Sequence, residues 1–242
     1  MRRLPVRAQG LVALVAAGGV ASLLARVPDV GRWRGIDLVG FLVLAAGIVL
    51  AEQFQVPLRF GSETLNVSLT EALWVGALIL ARPSVVTMAV AAGVLIGQAM
   101  RRVALHKLAF NTGQFLVALT AAQVVVAGLR GPGVLQPMTF VAVGLGMAAY
   151  AALNAGLVAL AISLAQGKAF QSVLLPPLPK NLLHFAANTA LGLATVVMWK
   201  AAPGTLPMLV LPLGMCFIAY RALLQGFAQS ELAEQPVLQR AG

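Results

Sequence analysis

Charged residues are scarce in this sequence. Only 10% of its 242 residues are Asp, Glu, Lys or Arg, and 60% are hydrophobic, whereas soluble domains average about 25% charged and about 45–50% apolar residues. So few charged side chains do not cover the surface of a soluble protein. We therefore predict an integral membrane protein, which must pair its own backbone groups in helices or in a closed barrel. The apolar runs lack the alternating polarity of barrel strands, which leaves helices.

Residues that commonly build catalytic or metal sites are also few. The single cysteine, Cys216, lies inside an apolar run, and one cysteine forms neither a disulfide framework nor a CxxC metal site. The two histidines, His106 and His184, have no acidic or cysteine neighbour in the sequence, so we expect them near lipid headgroups. The chain also lacks P-loop, GxSxG and HExxH motifs and paired carboxylates inside its apolar runs. We therefore expect no enzyme, no metal site and no cofactor.

Eight hydrophobic segments divide the chain. Several are shorter than the roughly 20 residues that a helix needs to cross a bilayer, and only Arg82-Pro83 separates the third from the fourth, which predicts a tight helical hairpin. The predicted fold is an all-α polytopic membrane bundle of about eight short spans, with a membrane domain over 1–223 and a cytoplasmic exit helix and tail over 224–242. The segments are 9–25, 35–51, 67–81, 84–100, 109–129, 138–165, 182–200 and 205–223.

The excess of basic residues indicates an orientation in the membrane. The chain has 17 Lys and Arg against 7 Asp and Glu, a net charge of +10. With the N-terminus inside, eight spans put eleven of these 17 basic residues on the cytoplasmic side and the other six outside, as the positive-inside rule requires. We expect a multi-pass protein of the bacterial inner membrane with both termini cytoplasmic. The charge is assigned to lipid headgroups of the bilayer, not to nucleic acid.

The segment 53–69 differs from the helical runs. Its apolar side chains alternate on both sides of a short Gly-Ser-Glu turn, which is typical of two paired strands. We predict a β-hairpin whose apolar face lies at the membrane interface. The alternating residues are Phe54, Val56, Leu58, Phe60, Leu65, Val67 and Leu69.

A polar pair opens the third hydrophobic segment. Ser68 and Glu71 have the Ser-x-x-Glu spacing of a capping box, in which each side chain accepts a hydrogen bond from the backbone amide of the other residue. Glu71 is also an ionisable group at the edge of a span, and such groups are costly and mark functional sites. The sequence leaves two roles open for Glu71, a structural cap with Ser68 and a ligand contact.

Amide side chains provide further candidates for ligand binding. Asn111 and Gln114 are three residues apart, so they share a helix face. They should point into the bundle, where they bind a ligand or form interhelical hydrogen bonds. Asn188 lies in a similar order of residues, with a basic residue, a histidine and then Asn-Thr. The basic cytoplasmic connection that precedes Asn111 contains Arg101, Arg102 and Lys107.

Small residues indicate close helix packing. Gly93 and Gly97 form a Gly-x-x-x-Gly motif in the fourth segment, and such motifs let two helices approach closely. A homodimer interface is one use of this packing, and a contact within the chain is another.

The order of these features resembles the multi-pass sensor regions that bacteria place before diguanylate cyclase (GGDEF), HD-GYP or histidine-kinase modules. The likeness is carried over 44–126 by FQVPLRF, LNVSLTEAL, ALILARPSVV, RRVALHK and LAFNTGQF. It implies an input domain that transmits a stimulus through its last helix to a cytoplasmic effector, located in a longer chain or in a separate partner. No established ligand comes with the matching residues, which are Ser68, Glu71, Lys107, Asn111 and Gln114.

A second resemblance points to transport. The segment SLTEALWVGALILARPSVV is similar to the substrate-binding membrane subunits of energy-coupling-factor vitamin transporters. This resemblance implies a small-molecule transporter or its binding subunit with an unknown ligand. Independently of the resemblance, polar residues able to lie near the membrane midplane favour such a protein. Residues suited to that position are Asn111, Gln114, Asn154 and Asn188.

Overall fold

In the computed structural model, the chain folds mainly into α-helices. The structure describes residues 4–54, 56–60, 63–67, 70–205 and 208, with the backbone alone for 56–60 and 63–67. The helical class that the composition predicts is confirmed for these residues. The elements are α1 (Val6–Leu24), α2 (Val27–Val30), α3 (Gly35–Gln53), β1 (Val56–Phe60), β2 (Glu63–Val67), α4 (Thr70–Leu80), α5 (Pro83–Met100), α6 (Leu105–Leu129), α7 (Pro137–Gln166), α8 (Phe170–Leu174), α9 (Leu178–Ala201) and a 3-10 turn (Pro203–Thr205).

Six helical segments of the described residues are long and apolar enough to cross a membrane, the first of which joins α1 and α2. The third predicted segment corresponds to α4, whose 11 residues span only about 16 Å, about half of a ~30 Å hydrocarbon core. The eighth segment and the exit helix over 224–242 lie outside the described residues, apart from Thr205 and Met208. A multi-pass membrane protein is therefore supported, and the count of eight spans is not confirmed. The six spans are Val6–Val30, Gly35–Gln53, Pro83–Met100, Leu105–Leu129, Pro137–Gln166 and Leu178–Ala201.

The distribution of side chains suits a hydrocarbon solvent. Large aliphatic residues project outward, with Leu14 71% exposed and Val43 68% exposed. The interior holds polar side chains, among them Thr87, Gln123 and Asn188. In water this arrangement would leave a large apolar surface exposed, whereas in lipid it keeps the groups that need hydrogen-bond partners away from the solvent.

Glycines allow the closest helix crossings. A Cβ atom on Gly113 of α6 would lie 2.5 Å from the backbone oxygen of Val15 in α1. A Cβ atom on Gly93 of α5 would lie 2.7 Å from the Cβ of Ile48 in α3. Neither position has room for a side chain. α6 meets the backbone of α1 at Gly113, and α5 meets the Ile48 side chain of α3 at Gly93. The motif of Gly93 and Gly97 therefore packs α5 against α3 within one chain.

Two short strands connect α3 to α4. β1 and β2 pair antiparallel, with Val56 opposite Val67 and Phe60 opposite Glu63. This is the segment in which the alternating pattern predicts a hairpin, and its position at the membrane interface stays a prediction. The hairpin belongs to a different compact unit from the helices up to Val196. The site described below lies entirely in the helical unit.

Candidate functional site

Glu71 lies in the first turn of α4 and contacts α9. Its Oε2 atom accepts a hydrogen bond from Nδ2 of Asn188 at 3.1 Å, and Nε2 of His184 lies 3.6 Å from the same oxygen. Because His184 and Asn188 are four residues apart, they share one face of α9 and both reach Glu71. Glu71 and Asn188 are buried. We call these three residues the Glu71 cluster.

Three distances define the hydrogen bonding of the Glu71 cluster. Nδ2 of Asn188 is also 3.2 Å from Nε2 of His184. An amide nitrogen carries two hydrogens, so Asn188 donates one to Glu71 and the other to His184 when His184 carries its proton on Nδ1. The 3.6 Å between His184 and Glu71 is too long for a direct hydrogen bond. Asn188 is therefore the residue that joins the cluster.

Four aromatic rings pack in the interior next to the cluster. Trp74 meets Tyr150 edge to face with ring centroids 5.3 Å apart, and Tyr150 meets Phe185 in the same way at 5.7 Å. Phe115 packs against Trp74 at 5.8 Å. Such T-shaped contacts are favourable. Among the described residues, neither Nε1 of Trp74 nor the Tyr150 hydroxyl has a hydrogen-bond partner, so the interior holds two unmatched polar groups beside the cluster.

The two amides predicted to share a helix face bind different helices. Nδ2 of Asn111 donates to Oε1 of Gln98 in α5 at 3.0 Å, and Nε2 of Gln114 donates to Oδ1 of Asn154 in α7 at 3.0 Å. Both therefore form interhelical hydrogen bonds. Oε1 of Gln114 is buried without a partner in the described part of the chain. Since Asn154 lies one helical turn from Tyr150, Gln114 belongs to the same interior region as the aromatic rings.

Glu52, near the end of α3, is a second buried acidic residue. It is 2% exposed, and Nη1 of Arg101 lies 3.7 Å from its Oε2 and donates to its backbone oxygen at 3.3 Å. Gly97 makes this burial possible, because a Cβ atom there would lie 2.7 Å from the Cβ of Glu52. Arg101 thus pairs with Glu52. Arg101, Arg102 and Lys107 of this basic connection are all exposed.

The fold gives His184 an acidic neighbour that the sequence does not show. No acidic residue lies near His184 in the sequence, but α9 carries it to within 3.6 Å of Glu71, and its expected position near lipid headgroups stays a prediction. Its four-residue spacing from Asn188 is visible in the sequence, but the acidic residue opposite them on α4 is not. His106 is exposed. Ser68 lies outside the described residues, so its capping box with Glu71 stays a prediction.

The chemistry of the cluster suits recognition of a small polar group. It combines a carboxyl acceptor, an imidazole and an amide donor, and two further donors lie on Trp74 and Tyr150 nearby. Within the described ranges, no three His, Cys, Asp or Glu residues are placed to hold a metal ion. The sequence does not single out His184, Trp74 or Tyr150 as site residues, since each of them contacts side chains that lie on other helices.

No family model, no curated protein and no solved structure matches this chain.

Proposed function

We propose that this chain is a membrane-embedded sensory input domain, in which the Glu71 cluster couples a stimulus to the C-terminal part of the chain. The observation that carries this proposal is the buried hydrogen bond from Asn188 to Glu71, which joins residues 117 positions apart. α4 follows the hairpin, and α9 leads to the segments in which the exit helix is predicted. A contact between these two helices is therefore in a position to bias the exit helix.

The energy of this contact is of the size that signalling requires. A stimulus shifts a two-state domain by binding one state better than the other, and typical coupling free energies are about 1–3 kcal/mol. Leaving one buried hydrogen-bonding group unmatched costs a similar amount, about 1–3 kcal/mol. A small polar molecule that competes for the Asn188 amide therefore supplies enough free energy to change the state.

The proposal includes a location and partners. The chain belongs to the bacterial inner membrane with both termini cytoplasmic, with eight spans and the hairpin at the membrane interface. Its partners are the lipid bilayer, a small-molecule ligand and a cytoplasmic effector, and a homodimer is one form in which it acts. Alkaline phosphatase fused after residue 235 should be inactive, because this reporter needs disulfides that form only outside the cytoplasm. An active fusion contradicts the direction of signalling.

A chimera tests the coupling itself. The chain, fused after Gly242 to a diguanylate cyclase reporter, should change its cyclic di-GMP output several-fold when Asn188→Leu or Glu71→Leu removes the contact. Thr195→Val is the matched control, because the Thr195 hydroxyl bonds the carbonyl of Leu191 in its own helix. Unchanged output in both cluster variants, at equal abundance in the membrane, contradicts the proposal.

A membrane subunit of a small-molecule transporter is the second candidate function. It is favoured by the unmatched polar atoms of Gln114, Trp74 and Tyr150 among the described residues, since a bound substrate commonly satisfies such groups. Mass spectrometry of the purified chain should then find a stoichiometric ligand that Gln114→Leu loses. Thr120→Val should retain it, because the Thr120 hydroxyl bonds the carbonyl of Leu116 within its own helix, α6. A ligand-free wild-type chain counts against transport.

A further inference from the structure

A groove runs between α1, α6 and α7 at the end of the bundle where α6 begins. Its volume is about 390 Å³. Ala8 and Val12 of α1 line one wall, and Val158 and Ile162 of α7 line another. The residues of each pair are four positions apart, so each pair forms an apolar ridge along one helix face. The groove is therefore elongated and apolar in the direction of the helices.

The mouth of this groove is basic. His106 and Lys107 line it from the first turn of α6, and Phe110 and Asn111 line it one turn further along. No Asp or Glu occurs among the described residues that form its walls. A cation at the interface followed by an apolar channel is the arrangement that complements a phospholipid, with its anionic phosphate at the surface and its acyl chain in the hydrocarbon.

A second cavity shows why the charge at this mouth matters. That cavity, of about 540 Å³, contains Arg82 and Arg130 but also Asp37, whose Oδ1 lies 3.3 Å from Nε of Arg82. Asp37 there already forms an ion pair with Arg82, and its negative charge repels any anion that enters the cavity. In the groove beside Lys107, no lining carboxyl competes for the cation.

We propose that the groove between α1, α6 and α7 binds an anionic phospholipid, with the phosphate on Lys107 and part of one acyl chain between the two apolar ridges. This site goes beyond the sensory function and does not depend on it. The volume accommodates the upper part of one chain, so the remainder of the lipid stays in the bilayer.

Native mass spectrometry of the full chain in detergent tests the site. The chain is titrated with phosphatidylglycerol and, separately, with phosphatidylcholine of the same acyl chains, and we expect tighter binding of phosphatidylglycerol. Lys107→Gln should weaken that binding by about fivefold, the effect of one basic residue near an anionic headgroup. Arg102→Gln removes an exposed charge from the same connection but outside the groove, and it should keep the wild-type preference.

A second variant tests the apolar part of the groove. Ala161→Phe fills the groove from α7 without a change of charge and should weaken the binding of both lipids, and Val12→Phe does so from α1 if the first variant fails to fold. Wild-type lipid binding in the folded variant overturns the proposal. Equal binding of the two lipids, or equal effects of Lys107→Gln and Arg102→Gln, overturns it as well. Displacement of the lipid by glycerol 3-phosphate alone would show a free-anion site and would also overturn it.

Discussion

Replacement of Asn188 by leucine is expected to destabilise the chain, because Asn188 joins the Glu71 cluster. Its Nδ2 atom lies 3.1 Å from Oε2 of Glu71 and 3.2 Å from Nε2 of His184. Leucine has a similar size but no donor. Of the described partners, Glu71 then keeps only His184 at 3.6 Å. The substitution therefore tests hydrogen bonding and changes side-chain volume little.

Two ranges set the expected size of the effect. An unmatched buried hydrogen-bonding group costs about 1–3 kcal/mol, while hydrogen bonds between membrane helices average about 0.6 kcal/mol and reach about 1.7 kcal/mol. Because Asn188 contacts two partners among the described residues, we expect a loss of about 1.5 kcal/mol in the free energy of unfolding. In the double variant with Glu71→Leu, both ends of the hydrogen bond between residues 188 and 71 are apolar. The double variant should therefore lose about 1 kcal/mol less in the free energy of unfolding than the two single variants lose together.

Equilibrium unfolding of the full chain in mixed micelles, followed by far-UV circular dichroism, measures this double-mutant cycle. Thr195→Val is again the control, since its hydroxyl bonds within its own helix. Its combination with Glu71→Leu should be additive within about 0.3–0.5 kcal/mol. If Asn188→Leu and Glu71→Leu are also additive within that limit, Asn188 does not join the cluster and our reasoning is refuted.

The same unfolding measurement checks two further predictions. Gly113→Ala should destabilise the chain by about 1–3 kcal/mol, because the new Cβ atom would lie 2.5 Å from a backbone oxygen of α1. Gly144→Ala, which has nothing within 4 Å, should be neutral or stabilising by up to about 1 kcal/mol; equal effects of both substitutions contradict the close crossing of α1 and α6. Gln123→Leu should cost about 1–2 kcal/mol, since Gln123 bonds Arg26, the Pro83 carbonyl and Thr87. A loss no larger than that of Thr120→Val would show that this network adds nothing.

The membrane class and the positions of most helices could be predicted from the sequence, because they depend on local properties. A long apolar run needs only its own residues to be read as a span. The helical hairpin around Arg82-Pro83 is found where it is predicted, with α4 ending at Leu80 and α5 beginning at Pro83, since proline is favoured in the first turn of a helix. The inward orientation of Gln114, which is buried, follows from the cost of polar groups in lipid.

The partners of those polar groups were decided only by the tertiary structure. Asn188 bonds Glu71 across 117 positions, and Gln114 bonds Asn154 across 40. The sequence also predicts a span at the third segment, where the structure has a helix of 11 residues, because hydropathy measures how apolar a segment is and not how long its helix becomes.

Local sequence thus determines which residues avoid lipid, because placing a polar side chain in hydrocarbon costs free energy. It does not determine which groups meet, because a contact between α4 and α9 depends on the path of all the helices between them. The burial of Glu52 has the same origin, since Glu52 lies at a helix end and becomes enclosed only where Gly97 lets α5 approach α3. The composition therefore indicates that the protein lies in a lipid bilayer, and the packing of the helices forms the Glu71 cluster.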